Sequence, residues 1–580
     1  KKFLNEKKSA LADHSGVWLL GDNYDDLLVR HFENLPPESQ DLDFSRLLQA
    51  LDEPLAAGLY EQRNAAMIQR WGRALKRYAE SIAAMPETSA RLYPSGTVDL
   101  WNLEAAATGV SYSFSLAING QLLRGKIDRR LGDDRERAIA HGLVADLENM
   151  GSNPMSTRYH VGGRGYTHSI LDYDRILTDG LPAYGRRIDG GLAAAADEEA
   201  RGFYAAVCEA FDAVMMLLTK AASACAPGPL HEALAAGGQR PPKTFYEALA
   251  LINFMFYIDG CDSVGALDRY LASFYTRDLA AGVITPAVAQ ELLALFFANV
   301  DANGGWHMIL GGEGVDEAFT LVCLEALNSR RPNSGIKITA TTSDAVWEAT
   351  FDCLQRGSGN PSFYNDAAYR DGAAKLADVA TEDLPYIAYG GCTEFMVEGR
   401  ANVGSIDAGI NLLRILEGTM QAELGSTDDF NTFLARYKAD IRRQIQMMAA
   451  ELAVNQEVKA VYRPQMIRTL FIRDCLERAV EYNRGGARYN GGVINVAGIA
   501  NVANSLHAIR AMFDGSLGVD RERLVAALGA DFRGSEDLRR QLLDLPKFGN
   551  NVPAVDALAR DVVDFTFAEI TSRRCWRGNG

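Results

Sequence analysis

Long amphipathic helices that alternate with short apolar segments constrain the fold of this 580-residue chain more than any other feature. Apolar residues recur at helical spacing in five segments: residues 59–84, 198–224, 244–257, 287–300 and 428–454. Short β-like segments lie between or after them, at residues 336–341, 386–389 and 493–497. Strands that alternate with helices favour parallel pairing, so an α/β fold is predicted, with its functional loops at the carboxyl ends of strands.

Composition limits the classes of partner that the protein can have. The chain is 48% hydrophobic, and no Pro/Ser-rich linker divides it, which favours one large domain with an N-terminal helical layer. A net charge of −16 argues against nucleic acid or an anionic membrane as the main partner. We find no apolar segment of about eighteen residues and no signal-peptide core near the charged N-terminus, so a cytoplasmic protein without a membrane span is expected.

Cysteine usage singles out one thiol. The eight cysteines are scattered, without a Cys-x-x-Cys pair, so neither a disulfide framework nor a metal site is expected. Cys392 differs from the others because it follows Gly390 and Gly391 at the end of a predicted strand and stands two residues before Glu394. A thiol and a carboxylate in one tight turn can together take a hydrogen atom and a proton from a small substrate.

The residues alone leave other readings of this turn open. Cys392 can be an inert packed thiol, or the nucleophile of a cysteine hydrolase paired with a distant histidine. The candidate acid/base groups are His160, His168 and His307, although a single histidine near glycines is more often structural.

Several segments, in order, resemble the glycyl radical enzymes, the family of pyruvate formate-lyase. The main pair is Gly-Ser-Gly-Asn-Pro-Ser-Phe-Tyr-Asn-Asp at residues 357–366, followed by Tyr-Gly-Gly-Cys-Thr-Glu at residues 389–394. Further matching pieces lie at residues 164–173, 267–278, 309–312, 488–492, 498–506 and 547–550. The resemblance covers residue 59 to the C-terminus, which leaves residues 1–58 as an N-terminal extension.

The resemblance implies a ten-stranded α/β barrel of two five-stranded halves, surrounded by helices, with the cysteine loop inside. Cys392 then occupies the thiyl radical position, and Glu394 is the general base. The Cys-x-Glu pattern is similar to the branch of diol and amino-alcohol eliminases, so a lyase or dehydratase acting on a small hydroxylated substrate is expected. The segments that carry the resemblance suggest the substrate-binding residues His168, Tyr364, Asn365 and Phe395. No metal is expected in the enzyme itself.

The implied cofactor is a glycyl radical, installed after translation by a radical SAM activating enzyme. The family's Arg-Val-x-Gly-Tyr segment has no match near the C-terminus, so the radical glycine is not identified in this chain. We therefore expect a fragment, a separate glycyl-radical subunit, or a barrel without radical chemistry. A homodimer is also expected. The alternatives are a non-catalytic barrel subunit or scaffold, and a radical carbon–carbon lyase or decarboxylase.

Overall fold

A computed structural model describes most of the chain from residue 166 onward and parts of what precedes it. The described residues are 58, 61–62, 64–83, 85, 88–96, 124–125, 127–129, 131–135, 137–138, 140–142, 166–327, 332–376, 378–391, 394–405, 407–462 and 464–577. The predicted N-terminal extension lies outside them, apart from Gly58, and so do His160, Cys392 and Thr393.

Helices make up most of the described structure. In chain order they are α1 Met67–Ser81, α2 Tyr173–Asp179, α3 Leu181–Ala194, α4 Glu198–Ala224, α5 Pro229–Gly237, α6 Phe245–Ile258, α7 Leu267–Ala280, α8 Pro286–Ala302, α9 Glu317–Ala326, α10 Asp344–Gln355, α11 Asp366–Leu376, α12 Leu412–Glu423, α13 Phe430–Tyr462, α14 Met466–Phe471, α15 Cys475–Arg478, α16 Ile499–Phe513, α17 Arg521–Gly529, α18 Glu536–Asp544 and α19 Pro553–Thr571.

The strands are short. They are β1 Tyr166–His168, β2 Gly265–Ala266, β3 His307–Gly311, β4 Asn333–Ile338, β5 Ser362–Asn365, β6 Ile387–Gly390, β7 Glu394–Val397, β8 Ala401–Ser405, β9 Ala408–Asn411, β10 Tyr489–Asn490 and β11 Ile494–Ala497.

The central sheet is parallel, in the order β2-β3-β4-β5. Helices α7 and α8 connect β2 to β3, α9 connects β3 to β4, and α10 connects β4 to β5. Parallel neighbours require such crossover connections, so this part of the fold confirms the predicted α/β alternation. Because all four strands run in one direction, their carboxyl ends lie along one edge of the sheet.

The remaining strands form smaller groups, in which the predicted parallel pairing holds only in part. β9 pairs with β11, and β8 with β10, in parallel, whereas β1 runs antiparallel to β8. The prediction of parallel pairing is wrong for β6, which forms an antiparallel hairpin with β7. The tight glycine turn after β6 explains this, because a three-residue connection can only return the chain antiparallel to itself.

One predicted strand is displaced along the chain. Residues 336–341 were expected to be extended, but β4 covers Asn333–Ile338. Beyond it, Thr339 donates its backbone N–H to Thr342 Oγ1 at 2.9 Å, and Thr341 donates to Thr339 Oγ1 at 3.2 Å. Threonine side chains that bond to nearby backbone groups favour a turn over a strand, which outweighs the β propensity of this segment.

The N-terminal helical layer packs closely on the core. A Cβ on Gly72 in α1 would lie only 2.4 Å from the Ala206 carbonyl oxygen in α4, so the two helix backbones are nearly in contact. By length and composition α4 is the one described helix that could cross a membrane. Half of its most apolar 18-residue stretch is buried inside the protein, however. Such burial is typical of the core helix of a globular fold.

The two largest apolar clusters of the described structure lie at the parallel sheet and among the C-terminal helices. The larger surrounds the parallel sheet and helices α4, α6 and α8. The second is formed by the C-terminal helices α12, α13, α16, α17, α18 and α19, together with β9. The hairpin β6–β7 carries side chains into the first cluster, so the turn between its strands lies next to that cluster.

Gly335 in β4 makes room for an aromatic ring, and we expect Gly335→Ala to destabilise the protein. A Cβ at this position would lie 2.3 Å from Tyr364 Cε2 and 2.8 Å from Ile309 Cδ1. Overpacking of this kind costs about 1–3 kcal/mol, so calorimetry should show a lower melting temperature. Gly372→Ala in α11 is the control, because nothing lies within 4 Å of its Cβ position. Equal melting temperatures for the two variants would contradict this packing.

Candidate active site at the cysteine turn

The turn between β6 and β7 is anchored through the backbone of Gly391. β6 ends at Gly390, β7 begins at Glu394, and Gly391 adopts a left-handed φ of 55°. Its buried N–H donates to Ser263 Oγ at 3.1 Å. The local structure therefore agrees with the predicted placement of Cys392 directly after a strand, although Cys392 itself is outside the described residues.

Gly391 brings two of the predicted site residues together. A Cβ on Gly391 would lie 2.4 Å from His168 Nε2 and 2.7 Å from Glu394 Oε2. Both polar atoms therefore lie against the residue that precedes Cys392, close to one another. Only glycine satisfies both the left-handed backbone and this crowding. The carboxylate and the imidazole can thus act on one small molecule bound beside the cysteine.

His168 is held by a buried carboxylate. The residue ends β1 and is only 2% exposed. Its Nδ1 lies 2.8 Å from Asp262 Oδ1, and the ring meets Trp306 edge to face at 4.9 Å between centroids. Because a carboxylate accepts, Nδ1–H is the donor, and Nε2 is the nitrogen directed at the turn. This contact determines both the tautomer and the orientation of the ring.

Asp262 belongs to a buried network of charged groups. Its Oδ2 accepts hydrogen bonds from Arg468 Nη2 at 2.7 Å and from the Ser169 backbone N–H at 2.8 Å. Asp259 binds the same guanidinium, at 3.3 Å from Nε. Burial raises the pKa of Asp259 to about 7. Burial also acts to raise the pKa of Asp262, but His168 and Arg468 outweigh it and hold that pKa below its usual value. Asp262 is therefore the charged partner of His168.

We expect Asp262→Asn to lower stability by about 3–5 kcal/mol, because it removes one partner from a buried ion pair. The amide would remove one of the two carboxylates that bind Arg468 among the described residues and would break the charge-assisted contact to His168. The matched control is Asp371→Asn, which removes a carboxylate from the exposed Lys375–Asp371 pair and should cost less than about 0.5 kcal/mol. Denaturant unfolding of both variants gives the comparison, and equal losses would contradict a stabilising role for the network.

Aromatic rings form a wall beside this polar group. Tyr364 on β5 and Tyr389 on β6 stack with 3.9 Å between their ring centroids. Burial raises the pKa of Tyr364 to about 12, and the charges of Tyr369 and Glu394 act in the same direction. Tyr364 therefore lies within electrostatic range of Glu394. His307 meets both stacked rings edge to face, at 6.2 and 6.1 Å.

Two of the predicted substrate-binding residues make structural contacts of their own. Asn365 is exposed, and its Oδ1 accepts the Ala368 N–H at 3.0 Å, so the side chain caps the start of α11. Phe395 is half-buried and packs against an apolar cluster that includes Val379 and Ile387. Of the four predicted substrate-binding residues, His168 lies against Gly391 and Tyr364 stacks on Tyr389, and the role of all four as substrate contacts stays a prediction.

Several residues at the site were not predicted. Asp262, Ser263, Trp306 and Arg468 hold His168 and Gly391, but each lies in a segment without a local motif. Within the described part of the chain, no group of three or more His, Cys, Asp or Glu side chains could hold a metal ion.

The pyruvate formate lyase-like family model matches residues 230–304 and 311–579, more than half of the chain. Trans-4-hydroxy-L-proline dehydratase of Clostridioides difficile is 25% identical over 382 residues, which cover 57% of this chain and 48% of the relative. The chain thus spans about half the length of that curated relative, at 48%.

Two solved structures resemble the protein over most of its length. The glycerol-bound B12-independent glycerol dehydratase of Clostridium butyricum has a TM-score of 0.75 and 19% identity, with 92% of this chain and 79% of that chain covered. A glycyl radical enzyme of Archaeoglobus fulgidus has a TM-score of 0.73 and 21% identity, with coverages of 92% and 80%. The likeness confirms the predicted fold class, that of the glycyl radical enzymes; the described strands form sheets of two to four strands, which do not by themselves trace the ten-stranded barrel. The chain belongs to the pyruvate formate lyase-like family, as the motifs around Cys392 predicted.

Proposed function

We propose that the protein is a radical lyase that eliminates a leaving group from a small hydroxylated substrate, with Cys392 as the hydrogen-abstracting residue and Glu394 as the general base. The observation that carries the proposal is the convergence of Glu394 Oε2 and His168 Nε2 on Gly391, directly before Cys392. The dehydratases among the relatives support the same class of reaction.

The residues around the turn fit a radical site. Tyr389, Gly390 and Gly391 are buried, so the cysteine is preceded by a backbone that water does not reach. Exclusion of water protects a reactive intermediate from side reactions. A stored glycyl radical would supply the unpaired electron at the Cys392 sulfur by removing the thiol hydrogen atom. We expect that this glycine lies on a further segment or a second polypeptide chain, and that a radical SAM activating enzyme installs the radical.

The proposed reaction begins at the sulfur of Cys392. An S–H bond forms as the C–H bond next to a substrate hydroxyl breaks, which leaves the unpaired electron on carbon. The hydroxyl of such a radical is much more acidic, and Glu394 accepts its proton. The neighbouring carbon–oxygen bond then breaks, and the leaving hydroxide takes up the proton that Glu394 accepted, so that it departs as water and Glu394 is a carboxylate again, while His168 accepts a hydrogen bond from the substrate at Nε2. The resulting carbonyl-stabilised radical recovers a hydrogen atom from the Cys392 thiol, which restores the thiyl radical.

The experiment that tests this function follows the abstracted hydrogen. Anaerobically purified protein, an activating enzyme and any companion chain are combined with propane-1,2-diol deuterated at carbon 1. We expect a glycine-centred doublet in the electron paramagnetic resonance spectrum and a carbonyl product that carries deuterium on the adjacent carbon. A non-radical elimination would not transfer this deuterium.

Other outcomes would change the assignment. The absence of any glycine-centred doublet with every component present would overturn the proposal in favour of a scaffold. Carbon–carbon cleavage products would instead favour a radical C–C lyase or decarboxylase, in which Glu394 has another role.

A further inference from the structure

Three tyrosine rings are in mutual contact beside the cysteine turn. Tyr389 on β6 stacks on Tyr364 of β5, with 3.9 Å between the ring centroids and 13° between the ring planes. Tyr369 in α11 meets both rings edge to face, at 4.9 Å from the Tyr389 ring and 5.6 Å from the Tyr364 ring. We call these three residues the tyrosine cluster. The proposed elimination assigns no step to their hydroxyls.

The tyrosine cluster connects the buried turn with the protein surface. Tyr389 is fully buried, Tyr364 is 5% exposed and Tyr369 is 38% exposed. Tyr389 also precedes Cys392 by three residues, and three peptide units keep the two Cα atoms within about 11 Å of each other. The cluster therefore begins near the proposed position of the thiyl radical and ends in contact with solvent.

Packing alone does not select tyrosine at the inner end of the cluster. The Tyr389 hydroxyl is buried and has no hydrogen-bond partner among the described residues. An unpaired buried polar group lowers stability, and phenylalanine would fill the same space without that loss. On the opposite face of β5, next to Tyr364, the ring is indeed a phenylalanine. There Phe363 packs on Trp347 and Phe351. The Tyr389 hydroxyl therefore indicates a chemical role rather than a packing role.

A phenol beside a thiyl radical can exchange a hydrogen atom with it. Thiol S–H and phenol O–H bonds have similar strengths, so the exchange changes the free energy little. Burial raises the pKa of Tyr364 to about 12 and also raises the pKa of Tyr389, so both hydroxyls keep their hydrogen at physiological pH. Rings in direct contact let the electron pass from one phenol to the next while the proton follows. Phenylalanine has no such hydrogen to give.

We propose that the tyrosine cluster is a radical-transfer path, which carries the unpaired electron from Cys392 to the protein surface when no substrate is bound. This inference rests on the proposed function, because a thiyl radical must form first. It goes beyond that function, because it assigns the protein a way to discharge the radical without breaking its own backbone.

Each step of the path is the transfer of one hydrogen atom. The Tyr389 O–H bond breaks as an S–H bond forms at Cys392, which leaves a phenoxyl radical on Tyr389. Tyr364 returns a hydrogen atom to the Tyr389 oxygen, and Tyr369 returns one to Tyr364. At the surface, a small thiol in solution gives its hydrogen atom to the Tyr369 oxygen and becomes a thiyl radical itself. The cysteine and all three phenols are then restored.

Flash photolysis tests the path without a glycyl radical. Ruthenium tris(bipyridine), with persulfate as the electron acceptor, oxidises exposed tyrosines of the unactivated protein, and a radical that enters at Tyr369 should move to the buried rings. We expect a tyrosyl signal in the electron paramagnetic resonance spectrum that persists after the signals of exposed rings have gone, because solvent does not reach it. Tyr369→Phe, which removes only the hydroxyl of a partly exposed side chain, should abolish the persistent signal. The double variant Tyr364→Phe/Tyr389→Phe should abolish it as well.

A second measurement uses the activated system without substrate. Addition of a small thiol such as dithiothreitol should accelerate decay of the glycine-centred doublet in the wild type, and Tyr389→Phe should abolish this acceleration. The matched control is Tyr184→Phe in α3, which removes another buried hydroxyl without a partner among the described residues and should behave as the wild type.

Two results would overturn the path. One is a persistent tyrosyl signal that survives Tyr369→Phe, and the other is equal thiol-dependent decay in the wild type and Tyr389→Phe. Absence of the doublet from every variant would count against the proposed function instead, and the flash experiment would then decide the path by itself.

Discussion

Cys392→Ala is expected to reduce turnover of a diol substrate to below detection in the complete, activated system. The sulfur is the atom that removes hydrogen from the substrate carbon and later returns it, and a methyl group can do neither. The matched control is Cys208→Ala on the half-buried face of α4, because Cys208 lies far along the chain from the turn and has a thiol pKa that burial raises. This control should retain wild-type kcat.

Cys392→Ala also distinguishes storage of the radical on the glycine from hydrogen abstraction by the thiol. If Cys392 only receives the unpaired electron, the glycine-centred signal should persist in Cys392→Ala while deuterium transfer from the substrate disappears. Turnover by Cys392→Ala at more than a few per cent of the wild-type rate would rule out the thiol as the abstracting group. In that case the geometry around Gly391 would have to serve a different reaction.

Glu394→Gln is expected to lower kcat by about 10²–10⁴-fold with little change in KM, because general base catalysis contributes about that much and the amide keeps the size of the side chain. The substitution should leave hydrogen abstraction by Cys392 intact. Exchange of deuterium between the substrate carbon and the thiol should therefore continue while elimination slows. Separation of these two steps identifies a base, since a merely structural change would slow both.

Glu313→Gln provides the control for this substitution. Glu313 pairs with Arg370 at 3.1 Å, and its side chain is 75% exposed, so it has no access to the turn. We expect unchanged kcat and KM. If Glu394→Gln retained wild-type kcat, proton removal would have to be assigned to another group, and His168 would be the first to test.

The sequence predicted the helices well where apolar spacing was regular. The segment at residues 198–224 has the predicted bounds, whereas the helix expected at 428–454 extends to Tyr462. Its last turns remain helical through packing, since Gln456 and Lys459 are buried and the Cβ position of Gly492 lies 3.4 Å from Gln456 Nε2. The spacing of apolar residues in the sequence does not reveal tertiary contacts of this kind.

The polar support of the site could not be predicted in the same way. His168 and Asp262 are separated by 94 positions and meet only because β1 and the segment before β2 converge in the folded protein. Arg400 shows the opposite case. It stands soon after the cysteine in the sequence, yet it is buried and its Nε pairs with Asp383 Oδ1 at 2.8 Å. A charged residue that lies near a motif in the sequence can thus form an ion pair with a residue outside that motif.

The absence of a side chain at Gly391 also matters for anyone who wishes to redesign the protein. The left-handed backbone and the crowding by His168 and Glu394 leave this position no tolerated replacement, so the reacting end of the pocket offers little room for variation. The wall formed by His307 and Tyr364 has no such backbone constraint. Libraries for altered substrate range should therefore randomise β3 and β5 and leave the turn unchanged.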